Sequence, residues 1–210
     1  MDKSQSDTYK YLLADARKAL ADNRLFSALE SLRGMATLLK AGSEADELAR
    51  LTEAYRQLLD YMVRGAADPA RNAMYRNFVV RAYELSTALE RRGELAEESS
   101  FYALTYRKLS PLREGFSGEQ MLPQSGWSEQ ELFNLLWLSA PFTPAEEAAW
   151  SDWFTTPRDD DALYRACLAV SALTLSAMRF FDVAKYRILI DLCLSSDVML
   201  RVRAMVGLIF

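Results

Sequence analysis

Residues 188–210 read ILIDLCLSSDVMLRVRAMVGLIF, and this stretch decides the fold. Two apolar segments of helical composition meet at Ser195-Ser196-Asp197, and the second ends on Val206-Gly207-Leu208-Ile209-Phe210 without a cap or a polar tail. A helix end that faces water normally supplies capping or charged groups to its last carbonyls. Here apolar side chains stand in their place, so the spacing predicts helices sandwiched between layers. Self-association through the last helix, or a chain continuing past residue 210, would each satisfy that surface.

The same texture extends backwards. Asp182 opens a helix to Leu194, and Asp159-Asp160-Asp161 open a longer one to Phe181 that is apolar on nearly every side, which predicts an inner position. Thr143 precedes Pro144 at a first helical position, with Glu146 and Glu147 complementing the dipole, and Pro157 closes that helix. Ser128, three residues before Glu131, forms a capping-box pattern ahead of Leu132, Leu135, Leu136 and Leu138. Before it, residues 110–127 carry Pro, Gly, Ser and Gln and read as a linker.

In residues 1–109 the three-or-four spacing gives five more helices. The first begins at Thr8, capped by Asp7, with Tyr11, Leu12, Ala16, Ala19 and Leu20 on its apolar stripe. Asn23 breaks the pattern. The second runs from Arg24 and stops at Ala41-Gly42, the third spans Ser43 to Gly65, the fourth follows Asp68-Pro69 and ends at Gly93, and the fifth covers Glu94 to Leu109. The fold class is all-α: about ten helices in antiparallel hairpins stacked as an α-solenoid, with regions 1–109 and 128–210 joined by the linker. A compact bundle is the alternative, and it needs only one apolar stripe per helix.

Composition narrows the chemistry. Half of the 210 residues are apolar, enough for a full core. The formal charge of −4 offers no general attraction for nucleic acid, whose binding rests on Lys and Arg neutralising phosphates. The polar, acidic start at Met1 to Asp7 does not have the basic-then-apolar order of a signal peptide, and Ala166 to Met178 is too short to cross a bilayer. A cytoplasmic protein without nucleic-acid or membrane partners is expected. Cys167 and Cys193 lie on apolar helix faces and read as core thiols. There is no histidine, which removes the commonest general base and nitrogen ligand, and with them any Ser-His-Asp or Cys-His enzyme within this chain.

Two segments resemble helical-repeat families. Asn23-Arg24-Leu25-Phe26-Ser27-Ala28 is similar to the turn of a tetratricopeptide repeat, and Leu85, Gly93, Leu95 and Tyr102 fall on matching positions of a weaker copy, with Glu98 and Thr105 where small residues are usual. The separation of Asn23 and Gly93 fits two repeats of ~34 residues. That family's Lys and Asn clamp for a peptide carboxylate is replaced by Leu13 and Arg17, then by Tyr83 and Thr87. Leu189 to Leu194, Asp197 and Val202-Arg203 resemble a HEAT repeat, which implies that the aspartate and arginine order a stack. Gly207 departs from that pattern and marks close packing.

The candidate sites each have a plainer reading. Asp159, Asp160 and Asp161 could ligate a hard cation, but first-turn acids also cap free amides. Trp127, Trp137, Trp150, Trp153 and Phe154 either line a ligand or peptide groove or seal the junction of the two halves, with Trp150 and Trp153 the more exposed pair. Arg71, Arg76 and Arg81 on the fourth helix either bind acidic segments or are solvated, with glutamates nearby to neutralise them. No catalytic residue, metal or cofactor emerges. The expectation is a non-enzymatic scaffold for a protein or peptide partner, with Arg71, Arg76, Arg81, Trp150 and Trp153 as candidate contacts. The alternative is a regulatory module that binds a small molecule in an aromatic pocket near Trp137 to Trp153.

Overall fold

In the computed structural model the described residues are 3–63, 70–97, 100–109, 123, 126–156 and 159–209. They form ten α-helices in chain order: α1 Lys3–Ala21, α2 Leu25–Leu38, α3 Gly42–Val63, α4 Arg71–Ala96, α5 Phe101–Lys108, α6 Glu129–Trp137, α7 Pro144–Thr155, α8 Asp160–Arg179, α9 Val183–Leu192 and α10 Val198–Ile209. The all-α class and the number of helices match the expectation. The chain divides into two compact units at residues 100 and 101. The linker expected at 110–127 lies largely outside the described residues, as do Gly65, Asp68-Pro69, Glu98, Pro157 and Phe210.

In the first unit α2 lies against α1, α3 and α4, and α4 returns to α1, so the four helices close on one another. In α2, Leu25, Ala28, Leu29, Leu32, Met35 and Ala36 are buried at the spacing of a single helical face. They meet Ala16, Ala19 and Leu20 of α1, Leu48 of α3, and Ala82, Leu85 and Leu89 of α4. The first helix starts at Lys3, ahead of the expected Thr8, and it buries Tyr9 while Tyr11 faces solvent. Period alone cannot choose between two tyrosines on either side of a stripe edge; the position of α4 does.

Both turns flanking α2 close by the same device. Asn23 has φ 56°, with Asn23 N–H bonded to Leu20 O (3.1 Å) and Arg24 N–H to Ala19 O (2.7 Å). Lys40 has φ 52°, with Lys40 N–H bonded to Thr37 O (3.2 Å) and Ala41 N–H to Ala36 O (2.8 Å). This pair of bonds around a left-handed residue satisfies carbonyls that the helix leaves open. The stop expected at Gly42 therefore falls on Lys40, and Gly42 begins α3. Gly93 likewise does not end α4, which continues to Ala96. A β-carbon on Gly93 would collide with the Tyr9 ring, so this glycine makes room for α1 against α4. The fifth helix starts at Phe101, later than the expected Glu94, because α4 takes up residues 94–96.

In the second unit α8 and α9 form a hairpin. α6 lies on α8, α7 on α9, and α10 on both. α8 is the inner helix, as its composition predicts, and its buried side chains are mostly small: Ala166, Cys167, Ala169, Val170, Ala172, Leu173, Ser176 and Ala177. Small residues let flanking helices come near, and Gly207 of α10 does so at Thr174, whose Oγ1 an added β-carbon would strike. α5 belongs to this unit: Tyr102 packs edge-on against Trp137 and Phe180.

The caps expected in the second unit appear at atomic level, whereas Asp7, the cap expected for the first helix, lies inside α1. Ser128 and Thr143 each make a full capping box, with Glu131 and Glu146 respectively. The side-chain bond from Ser128 and the bond from its backbone N–H hold the Glu131 carboxyl below the usual glutamate range. Asp159 accepts from Ala162 N–H (2.9 Å) and Asp182 from Ala184 N–H (3.0 Å).

A buried charge pins the second unit together. Lys185 is 0% exposed and donates to Ser176 Oγ (2.9 Å), Ala140 O (3.1 Å) and Ser139 O (3.4 Å). Its ammonium pairs with Asp182 at 3.3 Å and lies 4.8 Å from the centre of the Phe142 ring. Asp182 in turn accepts from Phe142 N–H at 2.9 Å. The network ties the chain after α6 to α8 and α9, and it provides the hydrogen bonds without which a buried charge would be costly.

Candidate functional site

The three arginines expected to contact a partner do not share one face of α4. Arg71, Arg76 and Arg81 are exposed, but a five-residue spacing at about 100° per residue turns each roughly 140° from the last, so they fan out around α4. Arg81 is held within its own unit by hydrogen bonds to Glu47 and Glu84. Its bond to the Glu84 carboxylate raises the Arg81 pKa, partial burial opposes that, and Glu47 adds to the rise. Arg17, at one of the clamp positions, is bonded to Glu90 at 2.6 Å.

Trp150 is 0% exposed, which corrects the expectation that it is accessible. The Thr143 capping box sets the phase of α7 so that Glu146, Trp150 and Phe154 all turn inward. Trp150 stacks on Phe142 and contacts Trp153 and Phe154, and Trp153 is half-buried. Trp137 belongs to a different cluster, with Phe101 and Tyr102. The break at Ser139 to Pro141 separates the helices that carry Trp137 and Trp150. Asp159 is occupied in capping, and among the described residues no three His, Cys, Asp or Glu side chains converge on a metal position.

What the second unit does offer is an open apolar face on α10. Val198, Met199, Val202, Met205, Val206 and Ile209 are all exposed, from 46% at Met205 to 77% at Ile209. At about 100° per residue they occupy an arc of roughly 120°. Leu200, Ala204 and Gly207 lie on the opposite side against α8 and α9. Leu194, in the α9–α10 turn, is 85% exposed. Sequence reading singled out this helix as apolar on too many sides, but not which residues remain outside.

Both borders of the arc carry arginine. Arg201 lies on one side and donates to Ser195 O at 2.8 Å; Arg203 lies on the other and donates to Ser171 Oγ of α8 at 2.9 Å. Asp197, the HEAT-like aspartate, does not pair with Arg203. It caps α10, accepting from Met199 N–H (2.8 Å) and Leu200 N–H (3.1 Å). Beside the turn, Phe154, Leu163, Ile188, Asp191, Ser195 and Asp197 line a cleft of about 540 Å³. Much of its polar wall is engaged in holding the turn: Ser195 Oγ accepts from Asp197 N–H at 3.2 Å, and Asp197 is the cap itself.

No protein-family model matches the chain, and neither a curated protein nor a solved structure does. No described helix is long and apolar enough to cross a membrane.

Proposed function

We propose that this chain is a non-catalytic helical scaffold of the cytoplasm that holds another protein, and that the open face of α10 is where it does so. The observation that carries this reading is a contiguous arc of six apolar side chains on a helix whose other side is already buried. Exposed apolar surface of this extent and order marks contact sites. Two rows of helices, α6, α8 and α10 beside α7 and α9, support kinship with stacked-hairpin α-solenoids in the second unit. The left-handed Asn23 supports the tetratricopeptide-like turn in the first, although the return of α4 to α1 makes that unit closed.

The test is proximity cross-linking of the full chain beside a Val202→Glu/Val206→Glu variant. A partner recovered with the native protein and lost with the variant is the expected result. Equal recovery from both, or an enzymatic turnover insensitive to the variant, would sink the reading. A second reading, a module binding a small molecule, is favoured by the cleft at the α9–α10 turn, whose size lies within the range of ligand sites. Specific quenching of tryptophan fluorescence by a metabolite, abolished by Asp191→Arg at the cleft wall, would support it.

A further inference from the structure

We propose that α10 is a docking ledge for an amphipathic helix of a partner protein whose apolar stripe is bordered by carboxylates on both sides. This rests on the reading of α10 as the contact face and adds the chemistry of the partner. The shape comes from the spacing. Val198, Val202, Met205 and Ile209 recur at four, three and four residues, the seam along which two helices lie side by side. Met199 and Val206 widen that seam. A helix laid along it would bury both apolar stripes, the mode in which grooves and faces take up amphipathic helices.

The charge comes from the borders. Arg201 and Arg203 flank the stripe on opposite sides, and α10 carries no acidic residue between Val198 and Ile209. Each guanidinium is oriented by one hydrogen bond, to Ser195 O or to Ser171 Oγ, and its fork has five N–H donors in all. A carboxylate at the edge of a docked helix can therefore be met in the fork geometry that arginine favours. Holding the side chains beforehand lowers the ordering entropy that binding must overcome.

The same charges disfavour other occupants. A second copy pairing antiparallel through α10 would set Val202 against Met205 of the other chain. Its two-fold axis would then pass between residues 203 and 204, bringing the two Arg203 side chains together without an acid from either helix. An anionic bilayer is usually recognised by clusters of four to eight basic residues, against two bordering this stripe.

The experiment titrates the full chain with two synthetic amphipathic helices that share a leucine stripe, one with glutamate on both borders and one with lysine, read by fluorescence anisotropy. The glutamate peptide is expected to bind roughly tenfold more tightly, since the pairings at both arginines change from attraction to repulsion when lysine replaces glutamate. That preference should shrink in Arg203→Gln, shrink further in Arg201→Gln/Arg203→Gln, and weaken with added salt. Arg203→Gln leaves the turn contact of Arg201 untouched and guards against misfolding of the double variant. Equal affinity for both peptides, each lost in Val202→Glu/Val206→Glu, would overturn the acidic partner and leave the contact face standing. Failure of both peptides to bind would remove both conclusions. Self-association lost in the same variant, or co-sedimentation with phosphatidylserine vesicles in preference to the peptide, would overturn the proposal in favour of a second copy or a membrane.

Discussion

Gly93 shows how much one missing carbon can decide. Tyr9 is buried and its hydroxyl donates to Glu90 O at 3.1 Å, so its ring is fixed over the α4 backbone where an alanine methyl would have to go. Gly93→Ala improves helix propensity by about 1 kcal/mol, yet overpacking at a fixed ring is expected to lower stability by about 1–3 kcal/mol in net. In a Tyr9→Leu background the same substitution should become neutral or stabilising. Denaturant titration of the four members of this cycle checks the reversal of sign; an unchanged penalty without the tyrosine ring would refute the packing account. Sequence reading takes Gly93 for a helix stop because glycine serves both purposes, and the neighbour across the gap lies 84 residues away.

Among the elements, the join of α6, α8 and α9 depends on Lys185. Removing the ammonium in Lys185→Met keeps the length of the stem but leaves Asp182 uncompensated and the carbonyls of Ser139 and Ala140 without this donor. Breaking one side of a buried pair costs about 3–5 kcal/mol. The double variant Asp182→Asn/Lys185→Met is expected to lose much less than the sum of the two single changes, as measured by chemical denaturation. Strict additivity would show that the pair is not coupled. The lysine stands on an apolar helix next to Tyr186 and Arg187, and neither composition nor period indicates that it is buried. The caps of the second unit, by contrast, are legible: Ser128, Thr143, Asp159, Asp182 and Asp197 all cap as their local sequence predicts, because a cap involves only neighbours within three residues, whereas Asp7 lies inside α1 and the stops expected at Gly42 and Gly93 fall elsewhere.

For the whole molecule, the open face implies a surface that gives no stability to the isolated chain. Val202→Glu/Val206→Glu should leave helical circular dichroism intact and shift unfolding free energy by no more than about 0.5 kcal/mol, the usual range for exposed sites. Binding of an apolar dye should fall. A large loss of stability would mean that these residues support the fold. The sequence by itself determined the helical class, the number of helices, the caps of the second unit, the inner place of α8 and the excess of apolar surface on α10, all of which follow from local propensity and from the period of 3.6 residues. Only the tertiary structure decided that α4 returns to α1, that α5 joins the second unit, that Trp150 is sealed and Arg81 engaged, and which arc of α10 stays open between two arginines. Those outcomes depend on which helices become neighbours, and contacts between residues distant in the chain leave no periodic trace in either segment.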